Sequence, residues 1–173
     1  MKITLYARVS TAHQDVDQQM IALRQWAVRN NHRIVHEIWD IQGATIPLTQ
    51  RIKFNEMLKN PIGEGVAVFN LDRLSRHWAD QPVIENYFKT NWEIFKLVSL
   101  HDEINLHNAN GRLMFRIKFA INCQSVEDMK EKQRIGINRA LKDGKYKGRQ
   151  KGAKGKVNSS KLSFFYINAR GVN

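Results

Sequence analysis

Two short stretches of this chain carry side chains whose types and spacing could do chemistry. YARVS, Tyr6 to Ser10, ends an apolar run with an arginine and a hydroxyl two residues apart. LDRLSR, Leu71 to Arg76, sets Asp72 beside Arg73 and places Arg76 three residues further on. A hydroxyl next to arginines has one strong rationale. Phosphoryl transfer at a diester builds negative charge on the non-bridging oxygens, and planar guanidinium forks match those oxygens two at a time. Ser10 is then the candidate nucleophile, with Arg8, Arg73 and Arg76 as candidate phosphate holders. Asp72 is available either to handle a proton or to orient an arginine. Each piece alone is ordinary, since serines follow strands in turns and Asp–Arg pairs decorate surfaces. Only joint placement by the fold makes them a site.

The elements that must do the placing can be read from the same sequence. ITLYARV (Ile3 to Val9), RIVHEIWD (Arg33 to Asp40), GVAVFNLD (Gly65 to Asp72) and EIFKLVSLH (Glu93 to His101) read as strands. Between the first two, Val16, Met20, Leu23 and Ala27 recur at the spacing of one helical face. IKFNEMLKN reads as a short helix, and RHWADQPVIENYFKTN is helical in its second part, with Pro82 at an early turn. The loop IQGATIPLTQ separates the second strand from the second helix. Strands alternating with helices predict an α/β fold, a mostly parallel sheet flanked by helices. In such sheets binding groups collect at the carboxyl ends of strands. Ser10 follows the first strand, and Asp72 with Arg73 closes the third. Arg73 and Arg76 share one face if a helix begins there.

After residue 110 the character changes. From about Gly111 to Asp143 there is no proline and only one internal glycine, Gly136. The stretch predicts a helix of roughly 33 residues, about 50 Å long, which is more than a compact domain of this size can cover. The alternative is two helices broken near Ser125 or Gly136. Leu113, Met114, Ile117, Ala120 and Ile121 group in the first half and the second half is charged, a pattern that fits subunit contact followed by an extended arm.

Asp143 is the last acidic residue, and GKYKGRQKGAKGKVNSSK follows it. Lys145, Lys147, Arg149, Lys151, Lys154 and Lys156 are candidate contacts to a phosphate backbone or a minor groove. The whole chain, 173 residues with a formal charge of +12, points the same way, to a polyanionic partner and first of all nucleic acid. No apolar run approaches the roughly 18 residues of a membrane span. Cys123 is the only cysteine, which excludes an intramolecular disulfide and a cysteine-based zinc site. A cytoplasmic location is expected. A nucleotide-binding α/β domain is disfavoured, because no glycine-rich loop opens a helix after a strand.

YARVST, Gln14 and Gln19 behind it, LDRLSR, and the closing GKYKGR together resemble the serine recombinases of the resolvase/invertase family, from Met1 to about Arg149. The resemblance implies a site-specific recombinase in which Ser10 attacks a DNA phosphodiester and keeps the 5′ phosphate as a phosphoserine linkage. It implies that Arg8, Arg73 and Arg76 hold the scissile phosphate, and that Asp72 either assists proton transfer or fixes an arginine. Gln14 and Gln19 fall at supporting polar positions, and Arg51 falls where the family carries another active-site arginine. No cofactor or metal is implied. The implied partners are double-stranded DNA and copies of the same chain, as a homodimer that pairs into a tetramer, encoded by a bacterium, a phage or another mobile element. Arg149 is the candidate to reach into the groove. The expected organisation is a catalytic core over 1–110, a long dimerisation helix over 111–143, a basic arm over 144–160 and a remnant of a helix-turn-helix over 161–173.

Two departures from the family pattern temper this reading. The charged pairs of the long helix fall on Ser125 with Val126 and on Glu131 with Lys132, so half of that pattern is missing or weakened. SSKLSFFYINARGVN resembles the start of a helix-turn-helix without its recognition helix, so weak base reading is expected. They support an alternative, a protein that dimerises and binds DNA without recombining alone.

Overall fold

The computed structural model describes residues 1–10, 13–43, 45–102 and 104–145, and of residues 13–15 only the backbone. The elements are β1 (Lys2–Val9), α1 (His13–Arg29), β2 (Arg33–Ile41), α2 (Ile52–Lys59), β3 (Gly65–Val68), α3 (Asp80–Thr90), β4 (Lys96–Ser99) and α4 (Ala109–Lys142). Two 3-10 turns, Leu48–Gln50 and Leu71–Arg73, precede α2 and follow β3. The strands form one parallel sheet in the order β2-β1-β3-β4. The expected α/β class is observed.

β1 is buried along seven of its eight residues because helices cover both faces of the sheet. Its odd-numbered side chains, Ile3, Leu5, Ala7 and Val9, pack with Val16, Met20, Leu23 and Ala27 of α1. The helical spacing read from the sequence is therefore the face that meets the sheet. Tyr6, on the other face, packs with Phe54 of α2, Phe88 of α3, and Phe115 and Phe119 of α4. Arg8 has the parity of Tyr6 and so shares its face. Each buried leucine or phenylalanine contributes roughly 1.5–3 kcal/mol, so the apolar clusters hold the sheet rigid behind its carboxyl edge.

From β1 the chain steps outward to β2, then returns to the far side of β1 for β3 and β4. The direction of winding thus reverses between β1 and β3, the place where sheets of this kind gather binding groups at the strands' carboxyl ends.

Three expectations are corrected. β3 stops at Val68 rather than Asp72, and β4 spans Lys96–Ser99 rather than 93–101. The two strands run out of each other's hydrogen-bonding range together, and the Leu71 N–H is instead taken by the Asp102 carboxylate at 3.0 Å. No helix begins between Arg73 and Arg76 either. Ser75 Oγ accepts the His77 N–H at 3.0 Å and donates to Asp80 at 2.6 Å, giving the backbone a local alternative to a helical turn. The helix starts only at Asp80.

α4 is one continuous helix of 34 residues, without the break considered near Ser125 or Gly136. Phe115, Phe119, Cys123 and Val126 form its buried face, while Leu113, Met114, Ile117 and Ile121 are exposed. Gly111 is needed in its first turn, since a Cβ there would overlap the Asn105 carbonyl. The chain divides into two compact units, residues 1–129 and 130–173. In the second, the described residues are helical to Lys142, with Ile135, Ile137 and Leu141 exposed.

Candidate active site

The segment 71–76 is the point on which four arginines converge. Arg8 reaches it from the end of β1. Its Nη2 donates to the Asp72 carbonyl and its Nε to the Arg73 carbonyl, both at 3.0 Å. Its Nη1 donates to the Gln42 carbonyl, also at 3.0 Å, so one guanidinium ties the exits of β1, β2 and β3. The backbone of Arg8 is clasped in turn by Gln19 of α1, whose Oε1 accepts the Arg8 N–H at 3.4 Å and whose Nε2 donates to its carbonyl at 3.2 Å.

Arg51 approaches from the residue before α2 and is fully buried. Its Nη1 donates to the Leu74 carbonyl and its Nη2 to the Ile46 carbonyl at 2.9 Å. The last two arginines belong to the segment itself. Arg73 donates from Nε and Nη2 to the two oxygens of Asp72, at 3.1 and 3.0 Å. Arg76 Nη2 reaches Asp72 Oδ2 at 2.5 Å. Asp72 is buried, whereas the Arg73 and Arg76 side chains keep about 29% and 30% of their surface in solvent. The carboxylate thus holds two partly exposed forks.

The electrostatics follow from crowding. Burial, and after it the like charges of Arg51 and Arg73, pull the Arg8 pKa down to about 10. Arg8 stays a cation at neutral pH, but its charge is held at a cost that an arriving anion relieves. Tyr6 lies behind the cluster. Its hydroxyl donates to Asp40 Oδ2 at 3.1 Å, and burial followed by the Asp40 charge pushes its pKa well above the ordinary phenol value, so it remains neutral.

Ser10 lies two residues beyond Arg8, past the end of β1, and is exposed. The structure therefore brings together Arg8, Gln19, Arg51, Asp72, Arg73 and Arg76 at the carboxyl edge of β1 and β3, with Ser10 following β1. Gln14 lies in the first turn of α1, and its side chain falls outside the described residues. Of the basic candidates, Lys145 is described and solvent-exposed. Lys147, Arg149, Lys151, Lys154 and Lys156 lie outside the described residues, as do the arm from 146 onward and the 161–173 stretch. Among the described residues no group of three His, Cys, Asp or Glu side chains could hold a metal ion. No described helix is long and apolar enough to cross a membrane.

Three polar residues at this edge escape a motif-based reading. Asp40, next to last in β2, stands opposite Arg8 in the sheet register, and an acidic residue near a strand exit is a legible signal. It accepts from Tyr6 and from the Phe54 N–H at 3.2 Å. Asp80 accepts the Leu48 N–H at 3.0 Å as well as Ser75 Oγ, and so joins the two loops that carry Arg51 and Arg76. Asp102 holds the Leu71 N–H. Nothing local in the sequence marks these last two. A groove of about 550 Å³, lined by His36, Trp39, Lys53 and Met57 among others, lies on β2 and α2 and includes none of the clustered arginines.

Residues 3–146 match the family described as Resolvase, N terminal domain, and the chain belongs to that family. Membership places it in the recombinase class of enzymes. The fold is similar to that of the N-terminal catalytic domain of TP901-1 integrase, with a TM-score of 0.54 and 22% identity over 77% of this chain and 98% of that one. It is also similar to a resolvase family site-specific recombinase from Streptococcus pneumoniae, with a TM-score of 0.51 and 24% identity over 82% of this chain and 99% of that one. No curated protein matches the chain.

Proposed function

We propose that this chain is a serine site-specific recombinase that cleaves and rejoins double-stranded DNA through Ser10. The observation that carries the reading is the convergence of Arg8, Arg51, Arg73 and Arg76 on one short segment beside a strand exit that ends in an exposed serine. Ser10 Oγ attacks the phosphorus of a backbone diester. The new O–P bond leaves the 5′ phosphate on Ser10 as its hydroxyl gives up a proton, and the bond to the 3′ oxygen breaks, that oxygen taking a proton to leave as a 3′ hydroxyl. The diester energy is kept in the phosphoserine linkage, so attack by a 3′ hydroxyl rejoins the strand without a nucleotide cofactor. The partly exposed forks of Arg73 and Arg76 meet the non-bridging oxygens, where charge accumulates in the transition state. Arg8 and Arg51, largely engaged with carbonyls, hold the frame and supply field. Gln14 and Gln19 support the first strand exit.

The same reading assigns the exposed row Leu113, Ile117 and Ile121 of α4 to contact between subunits, as a dimer that pairs into a tetramer during synapsis. Residues 1–110 act as the catalytic core, 111–143 as the dimerisation helix and 144–160 as a DNA-contacting arm. Inversion, resolution and integration use this one chemistry. The protein would act in the cytoplasm, on nucleoid or mobile-element DNA.

A second reading, a chain that pairs and binds DNA without recombining, is favoured by one observation. Val126, in the first altered charge pair, is an uncharged side chain buried in the protein, so that position offers a partner no charge. A denaturing gel separates the two readings. Wild-type protein incubated with a nicked suicide duplex should give a covalent protein–DNA band that Ser10→Ala lacks. A salt-sensitive mobility shift with no covalent band in either protein supports the second reading.

A further inference from the structure

α4 holds both ends of the segment that carries Asp72, Arg73 and Arg76. At the leading end the Asp102 carboxylate serves three elements. Its Oδ2 accepts the Leu71 N–H at 3.0 Å and the Ser99 hydroxyl at 2.7 Å, and its Oδ1 accepts Lys118 Nζ of α4 at 2.7 Å. At the trailing end the Trp78 indole N–H donates to Glu127 Oε1 of α4 at 2.9 Å. Leu71 opens the 3-10 turn, and its N–H is one of the turn's unpaired donors, so whatever accepts it sets where Asp72 and Arg73 begin.

Burial alone would raise the Asp102 pKa, but the bonds from Lys118, Ser99 and Leu71 outweigh it and hold the carboxyl below its ordinary value. It is therefore a charged acceptor at neutral pH. A third tie, Arg116 of α4 to the buried Glu85 of α3 at 2.6 and 2.8 Å, fastens the same helix but touches no part of the 71–78 segment. That makes it an internal control, because it separates anchoring α4 from positioning the arginines.

We infer that Asp102 is a positioning residue for the strand-transfer reaction, aligning Asp72 and Arg73 through the Leu71 N–H and taking its own position from Lys118 on α4. The arginine forks are thereby referenced to α4 rather than to the sheet alone. This rests on the recombinase reading for its consequence in rate, while the relay itself concerns this chain's geometry and is testable without DNA.

The test compares Lys118→Met, Arg116→Met and Lys118→Arg in the full chain, with thermal melts to establish that each folds. The Leu71 amide and Arg73 Nε–H resonances are read by NMR, and the single-turnover rate of covalent adduct formation is measured on a suicide duplex. The relay requires both resonances to move in Lys118→Met, with the adduct rate falling about tenfold, and to return toward wild type in Lys118→Arg. It requires Arg116→Met to leave both resonances in place even where its melting temperature falls further. Unmoved resonances in Lys118→Met, or equal movement in Arg116→Met, would overturn the relay. Absence of an adduct in the wild-type protein would instead overturn the recombinase reading, and the resonances would still decide the relay. If Lys118→Met does not fold, Lys118→Gln replaces it and is judged by the same two resonances.

Discussion

Arg8 is committed to the protein before any substrate arrives. Three of its nitrogens bind carbonyls from two different loops, whereas Arg73 and Arg76 bind only a carboxylate and face solvent in part. The two kinds of arginine should therefore fail differently when the fork is replaced by a single ammonium. Arg8→Lys loses two of three charge-assisted bonds, each worth roughly 1.5 kcal/mol or more, so its stability should fall by about 3 kcal/mol in urea titrations together with activity. Arg73→Lys should fold normally and lose about a hundredfold in the rate of adduct formation, by analogy with removing one oriented donor from a transition state. Equal stability losses in both variants would contradict this division of labour.

The residue scale is also where the sequence was most informative. Arg8 with Ser10, and Asp72 with Arg73 and Arg76, are local patterns, and strand-exit logic places both stretches at one edge. What joins them is not local. The Arg8 bonds to the carbonyls of Asp72 and Arg73 span more than sixty residues. Backbone carbonyls carry no sequence signature, so the clamp had to be seen. Asp80 and Asp102 escaped for the same reason, since each is an acidic residue in an ordinary context that accepts a main-chain N–H from a distant loop.

At the scale of elements, α4 is the informative case. Its length and apolar first half are legible in the sequence, but its inward face is not, because apolar residues occur on more than one side. Phe115, Phe119, Cys123 and Val126 turn inward, leaving Leu113, Ile117 and Ile121 outward at four-residue spacing. If that outward row is a subunit seam, Ile121→Asp buries a charge there and should raise the dimer dissociation constant on the order of a hundredfold, read by sedimentation equilibrium. An unchanged constant would move the seam elsewhere.

The tie between Asp102 and α4 has a pH signature as well. Its folded pKa lies below the ordinary value of 3.8, so the unfolded chain binds the proton first as pH falls. The stabilisation is complete above about pH 4 and is lost as pH drops through the lower, folded value. The stability gap between wild type and Asp102→Asn should therefore hold steady from pH 5 to 8 and close below about pH 4. A gap that closes near pH 6 would point to a different group.

For the whole molecule, a formal charge of +12 with no acidic residue after Asp143 sets how DNA is met. Phosphate contacts should dominate affinity, so the observed binding constant should fall log-linearly with salt. Replacing Lys147 and Arg149 together by Gln should flatten that slope by about two contacts and leave the preference among duplex sequences unchanged. A slope unaffected by the pair would remove the arm from the interface.

One measurement reaches the covalent role of Ser10 directly. Wild-type protein would be trapped on a suicide duplex, digested with nuclease and protease, and the peptide containing YARVS sequenced by mass spectrometry, with the DNA ends examined in parallel. The expected product is a nucleotide joined through its 5′ phosphate to Ser10, with a free 3′ hydroxyl on the other fragment. A nucleotide on any other residue, or linkage through a 3′ phosphate, would contradict it.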